Sequence, residues 1–160
     1  MSPFDTPPQF LTERTIRVAQ PLARDAGTSN AKQRQVIALQ VQQPAADWLR
    51  SAVQRIENLT TLARDWNSYG SHPVTAEAAL AAVRFLLDTA YRELGAPAIV
   101  PLPDGGVQVE WHRGGLDVEI AFSEDEPGIY VEDHETGQSF ERSLGEAATL
   151  LVQLSPRLSS

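Results

Sequence analysis

Cysteine is absent from the 160-residue chain. Disulfide staples, thiolate metal ligands and a cysteine nucleophile are therefore excluded, and the main argument for an oxidising compartment falls with them. The reducing cytoplasm is the expected location. No run approaches the roughly 18 apolar residues of a membrane-spanning helix, and the opening Met1-Ser-Pro-Phe-Asp-Thr-Pro-Pro8 has neither the basic start nor the apolar core of a secretory signal. Neither membrane insertion nor secretion is expected. Catalytic motifs are missing too. The three histidines, His72, His112 and His134, have no Gly-x-Ser-x-Gly neighbour and no His-Glu-x-x-His spacing. Pro103-Asp-Gly-Gly106 lacks the lysine and the following helix of a phosphate loop and reads as a turn. An enzyme is not indicated.

Positive charge is scarce and unevenly placed. Residues 1–43 hold five basic side chains (Arg14, Arg17, Arg24, Lys32, Arg34) against three acidic ones, a net +2, which leaves −10 for the remainder of a chain whose total is −8. An acidic body repels phosphate backbones, because nucleic-acid affinity rests on Lys and Arg neutralising phosphates. Nucleic acid is not an expected partner except through the N-terminal arm. A basic protein is attracted to such a body, and acidity also serves solubility. A homodimer is equally open.

The chain divides at about residue 44. Residues 1–43 form an arm: 1–14 and 23–33 are rich in Pro, Ser, Thr, Asn and Gly with no apolar period and read as mobile, while Thr15–Val18 and Gln35–Val41 alternate well enough for short strands. The second of these runs equally fits the start of a helix. Residues 44–156 form one domain, large enough to bury its own core with 42% hydrophobic content over the chain. Pro44 suits a first helical turn, and Trp48, Ala52, Ile56, Leu59, Ala63 and Trp66 recur at helical spacing over about five turns. A second helix opens at Thr75, an N-cap type, with Leu80, Val83, Leu87, Ala90, Tyr91 and Leu94 as its apolar stripe, and Gly95 and Pro97 end it. The short link makes the two helices antiparallel neighbours. Beyond Pro97 the period becomes 2. Val107, Val109 and Trp111 alternate with polar residues, as do Leu116, Val118, Ile120 and Phe122; Ile129 and Val131 continue the pattern, and Phe140 supplies an edge strand. Ser143-Leu-Gly-Glu146 is a capping box opening a last helix through Leu154. The expected fold is α+β: an antiparallel meander with two long antiparallel helices on its apolar face and a C-terminal helix.

The meander locates a candidate surface. A two-residue turn at Gly114-Gly115 sets Trp111 opposite Val118, Val109 opposite Ile120 and Val107 opposite Phe122. Outward pairs follow: Glu110 faces Glu119, and His112 faces Asp117. With Ile129 opposite Phe122, Glu132 lies beside Glu119 and His134 beside Asp117; a slip of two residues keeps the same face. Like charges opposed across a sheet cost up to ~1 kcal/mol per pair unless something positive joins them. A basic group from a protein partner at Glu110, Glu119, Glu132 and Asp117 is one candidate. A divalent metal at His112, Asp117 and His134 is another, and would make the chain a metal-dependent enzyme. Water alone also suffices. Trp66, Tyr69 and His72 in the interhelix link form a second cluster, able to grip a partner or to lock the helix corner.

Asp65-Trp-Asn-Ser-Tyr-Gly70 with Pro73, Pro103-Asp-Gly-Gly-Val-Gln-Val-Glu-Trp111 and Leu116-Asp-Val-Glu-Ile120 together resemble a group of small uncharacterised bacterial proteins over residues 45–132. That resemblance implies a bacterial or phage origin and no chemistry. Residues 116–154 also resemble, in topology only, antitoxins of the HicB type, in which a small antiparallel sheet followed by a helix neutralises a basic toxin; the glycine-threonine approach to that family's helix is absent here. A likeness of topology carries no function, though it fits the acidic body; the acidic sheet face itself points to a non-enzymatic antitoxin, immunity or accessory role, and no cofactor is expected.

Overall fold

The computed structural model describes residues 17–18, 39–40, 47–89 and 94–159. The expected mobility of residues 1–14 and 23–33 lies outside the described residues. Within the arm, β1 (Arg17–Val18) and β2 (Leu39–Gln40) pair antiparallel, which gives the second apolar run a strand towards its C-terminal end.

Helix α1 spans Asp47–Leu59, shorter than the apolar spacing through Trp66 implies. Its end has a local cause. Thr60 and Thr61 turn their hydroxyls back to the carbonyls of Glu57 and Asn58, both at 2.7 Å, while the backbone tightens into three-residue hydrogen bonds there. Leu49, Ala52, Val53, Ile56 and Leu59 form its buried stripe. Helix α2 covers Ala76–Thr89, capped as expected: the Thr75 hydroxyl accepts from the Ala78 N–H at 3.1 Å. Its buried stripe is Ala78, Ala79, Ala82, Val83, Leu86 and Leu87, with Leu80 only half-buried. Val83 and Leu87 are where the spacing puts them, and the fully buried Ala79 and Ala82 widen the stripe on the side away from Leu80.

Five strands follow in meander order: β3 (Ala98–Pro101), β4 (Val107–Arg113), β5 (Leu116–Phe122), β6 (Gly128–Asp133) and β7 (Gln138–Arg142), all antiparallel. The first of them is an addition to the sequence reading, and Pro103–Gly106 is the turn joining it to β4. Gly114 and Gly115 both have positive φ, 61° and 69°, and the β4–β5 register is the expected one throughout. One face of the sheet is apolar: Val107, Val109, Trp111, Leu116, Val118, Ile120, Phe122, Ile129 and Val131 are all buried against the helices. A fully buried aliphatic side chain of this kind contributes roughly 1.5–3 kcal/mol. Trp111 is satisfied as well as buried, its indole N–H donating to the Gly95 carbonyl at 2.8 Å.

The capping box at Ser143 and Glu146 is present and opens a single 3-10 turn, Leu144–Glu146, which leads into α3 (Ala147–Leu158). This helix runs past Pro156. Proline cannot donate to the carbonyl four residues back, and the Ser155 hydroxyl takes that place, donating to Val152 O at 2.8 Å. Arg157 then pins the helix end. Its guanidinium reaches Asp133 through Nη1 at 2.8 Å and Nη2 at 3.1 Å, and Nε donates to the Gly114 carbonyl at 2.9 Å. Through the first of these contacts Arg157 holds the Asp133 carboxyl well below the usual carboxylate range.

Candidate functional site

With helices on one face, the other face of β4, β5 and β6 is open among the described residues, and side-chain alternation fixes what it shows. The β5–β6 register differs from the first expectation by the two-residue slip. Ile129 lies opposite Ile120, so Tyr130 faces Glu119 and Glu132 faces Asp117. The five-residue connection from Ser123 to Pro127 sets this offset, and the apolar face is kept because the slip is even. Glu119 therefore has Glu110 on one side and an aromatic ring on the other.

The carboxylates are not left to repel one another. Gln108 Nε2 donates to Glu110 Oε1 at 2.8 Å and to Glu119 Oε2 at 3.1 Å, an amide bridge between the two opposed glutamates. His112 continues the chain, with Nε2 at 3.1 Å from Glu110 Oε2 and Nδ1 at 2.8 Å from Asp117 Oδ1. A neutral imidazole carries one N–H, so only the imidazolium satisfies both contacts. The hydrogen bond to Asp117, then that to Glu110, raises the His112 pKa above its ordinary value. His134 Nε2 lies 2.9 Å from the other Asp117 oxygen, which raises its pKa as well. Hydrogen bonds from His112 and then His134 lower that of Asp117. Glu132 closes the row, accepting from the Tyr130 hydroxyl at 3.2 Å and lying 3.8 Å from His134 Nδ1.

His112, Asp117 and His134 are thus brought together by hydrogen bonds. The two imidazoles point at different oxygens of one carboxylate instead of converging on a common point. Among the described residues no group of three or more His, Cys, Asp or Glu side chains is placed to hold a metal ion.

A depression of about 470 Å³ opens on the same face towards β7. Ala121 and Gly128, directly paired, leave the space, and Glu119, Glu126, Tyr130, Glu141 and Arg142 surround it. Gln108, Tyr130 and Glu141 were not among the candidates read from sequence. Period-2 alternation marks Gln108 and Glu141 as outward, whereas the place of Tyr130 depends on the register.

The Trp66–His72 link is a locked corner. Asp65 and Ser68 take left-handed backbone, φ 61° and 63°, conformations uncommon for these side chains and held here by hydrogen bonds. Asp65 N–H donates to Ser71 O at 2.7 Å, its carboxylate accepts from Gly70 N–H at 2.7 Å, and Asn67 Oδ1 accepts from Tyr69 N–H at 2.9 Å. Trp66 Nε1 donates to the His72 carbonyl at 3.2 Å, and His72 N–H donates to Pro103 O at 2.8 Å, tying the corner to the β3–β4 turn. The Trp66 indole and the His72 backbone meet here, so these two contacts serve the corner. Tyr69 does not: its side chain stands 91% exposed on this fixed support.

Comparison with protein-family models, curated proteins and solved structures finds no match to the chain. No helix among the described residues is long and apolar enough to cross a membrane.

Proposed function

We propose that this chain is a non-enzymatic protein-binding module that engages a basic protein through the open face of its sheet, as an antitoxin, immunity or accessory factor does. One observation carries the reading. The outward positions of β4, β5 and β6 hold Glu110, Asp117, Glu119 and Glu132 and no lysine or arginine. The four carboxylates outnumber the two imidazoles on this face, and a predominantly negative field steers an oppositely charged partner. The network of Gln108, His112 and His134 fixes several of these carboxylates in place, which lowers the ordering cost of binding. Tyr69 supplies an exposed aromatic side chain of the type enriched at interface hot spots, on the corner tied to the β3–β4 turn.

The test is native mass spectrometry of the protein recovered from its host, with wild type and a Glu132→Lys/Glu141→Lys variant compared. Both positions are solvent-accessible enough for reversal to leave the fold intact, which circular dichroism checks. The expected result is a stoichiometric basic protein bound to wild type and lost from the variant. Recovery of the chain without a second protein, or a variant that retains it, refutes the reading.

A further inference from the structure

The two edges of the five-stranded sheet are finished differently. Along β3, helix α1 packs close, Arg55 Nε donates to the Ile99 carbonyl at 3.3 Å, and Pro101, without an N–H, ends the strand. These features block further pairing. Strand β7 has β6 on one side and, among the described residues, no strand on the other. Its sequence Gln138-Ser-Phe-Glu-Arg142 contains neither proline nor glycine, and all but Phe140 are exposed. A strand paired on one side presents the N–H and C=O groups of alternate residues outwards, ready to accept another strand.

We propose that β7 pairs antiparallel with β7 of a second copy of this chain, about a two-fold axis at Phe140, to form one continuous ten-stranded sheet. The inference goes beyond the basic-partner reading and stands independently of it. Self-complementarity selects the occupant. Residues opposite each other in an antiparallel pair share a face, so Phe140, which packs against the core on the helix side, meets Gln138, Phe140 or Arg142 of the other copy. Meeting Arg142 sets Glu141 against Glu141, a like-charge pair. Meeting Gln138 runs Glu141 into the turn at Gly137 and shortens the pairing. Meeting Phe140 aligns all five residues, with Gln138 opposite Arg142 and Ser139 opposite Glu141, hydroxyl to carboxylate, at both ends. The two Phe140 rings then adjoin at the axis, each beneath its own Arg142 guanidinium, already 5.1 Å from the ring centroid. Because the sheet continues, the two acidic open faces lie side by side, a bivalent surface for any polybasic partner.

The experiment is sedimentation equilibrium on the full chain and on variants at the exposed Ser139, which faces Glu141 of the other copy. Wild type is expected at twice the 17.5 kDa chain mass at about 100 μM. Ser139→Glu sets glutamates opposite each other twice per interface and is expected to weaken association about tenfold. Ser139→Lys creates two ion pairs and tightens it, and Ser139→Glu combined with Glu141→Lys restores it. Ser139 also faces Glu132 within the chain, so thermal melts confirm that each variant is folded at the assay temperature; the lysine variant relieves charge there and remains folded in any case. A wild-type monomer at that concentration overturns the proposal, as does a dimer whose dissociation constant is the same in the glutamate and lysine variants.

Discussion

Replacing Gln108 by glutamate changes one amide into a carboxylate of the same shape, in the middle of the acidic row. Gln108 is the amide donor joining Glu110 Oε1 and Glu119 Oε2, which stand directly opposite each other on β4 and β5. The substitution removes both hydrogen bonds and adds a third carboxylate. A hydrogen bond to a charged group is worth about 1.5–3 kcal/mol when buried, and these are only part-buried, so about 1 kcal/mol each is the appropriate figure. The added repulsion contributes up to ~1 kcal/mol. Gln108→Glu is therefore expected to destabilise the fold by about 2–3 kcal/mol, and Gln108→Leu, which loses the donors without adding charge, by about 1–2 kcal/mol. Urea unfolding followed by tryptophan fluorescence reads both as a fall in midpoint, of about 1–2 M for the glutamate variant. The gap between the two variants is Coulombic and shrinks in roughly 1 M NaCl, where the Debye length is about 3 Å. A glutamate variant with the wild-type midpoint, or a gap that salt leaves untouched, refutes the bridge.

The histidines add a pH dependence whose sign follows from the direction of their shifts. His112 and His134 have folded pKa values above 6.5, so their stabilisation is complete below 6.5 and is lost as pH rises through the folded values. Asp117 lies below 3.8, so its contribution is complete above 3.8 and is lost as pH falls through the lower folded value. All three act together between about pH 4 and 6.5, and wild-type urea midpoints are expected to decline on the alkaline side of that window. Unfolding across pH 5–9 (about the histidine range) tests this against His112→Asn/His134→Asn, in which the same decline should be absent; an identical slope in both proteins contradicts the assignment. Gly114 and Gly115 offer a separate test of how α3 is docked. A Cβ on Gly114 would lie 2.1 Å from the Arg157 carbonyl oxygen, whereas on Gly115 the nearest atom is the Arg157 side chain at 3.1 Å. Both carry the left-handed backbone cost of about 1–2 kcal/mol, so Gly114→Ala should lose roughly 2–4 kcal/mol and Gly115→Ala only the smaller amount. Equal losses by chemical denaturation exclude a close α3 contact at the turn.

Legibility in the sequence followed the range of the interactions concerned. The Gly114-Gly115 turn, the β4–β5 register and the capping box at Ser143 are local, and residues within a few positions specify each of them. The β5–β6 offset is set by a five-residue loop, for which an even slip keeps every apolar residue on the apolar face; alternation therefore identified the face and not the β6 neighbours of Glu119 and Asp117. Strand β3 was hidden because Ala98-Ile-Val-Pro101 is too short to show a period, and it is recognisable only through its pairing with β4. On helix α2 the spacing found Val83 and Leu87, which are buried, but took in the half-buried Leu80 and left out Ala78, Ala79, Ala82 and Leu86, which complete the stripe. At the candidate site the residue types were legible, and the donors that reconcile them were not, since Gln108 and Tyr130 matter through positions on neighbouring strands.

The internal network also decides where a partner's cation finds unspent charge. Both oxygens of Glu110 are engaged, one by Gln108 and one by His112, and both oxygens of Asp117 are engaged by the two histidines. Among the described residues Glu119 is bonded through Oε2 alone, and Glu132 accepts from Tyr130 while its other oxygen stays 3.8 Å from His134. The least committed negative charge therefore lies on Glu119, Glu132 and the exposed Glu141, around the depression and towards β7, away from the β3 edge. A charge-assisted contact gains most where the acceptor has no competing donor, so a basic side chain settles on the β5–β7 side. Reversing Glu110 or Asp117 would first break the network that orders the sheet face, and only reversals at Glu132 and Glu141 separate partner recognition from the integrity of the fold.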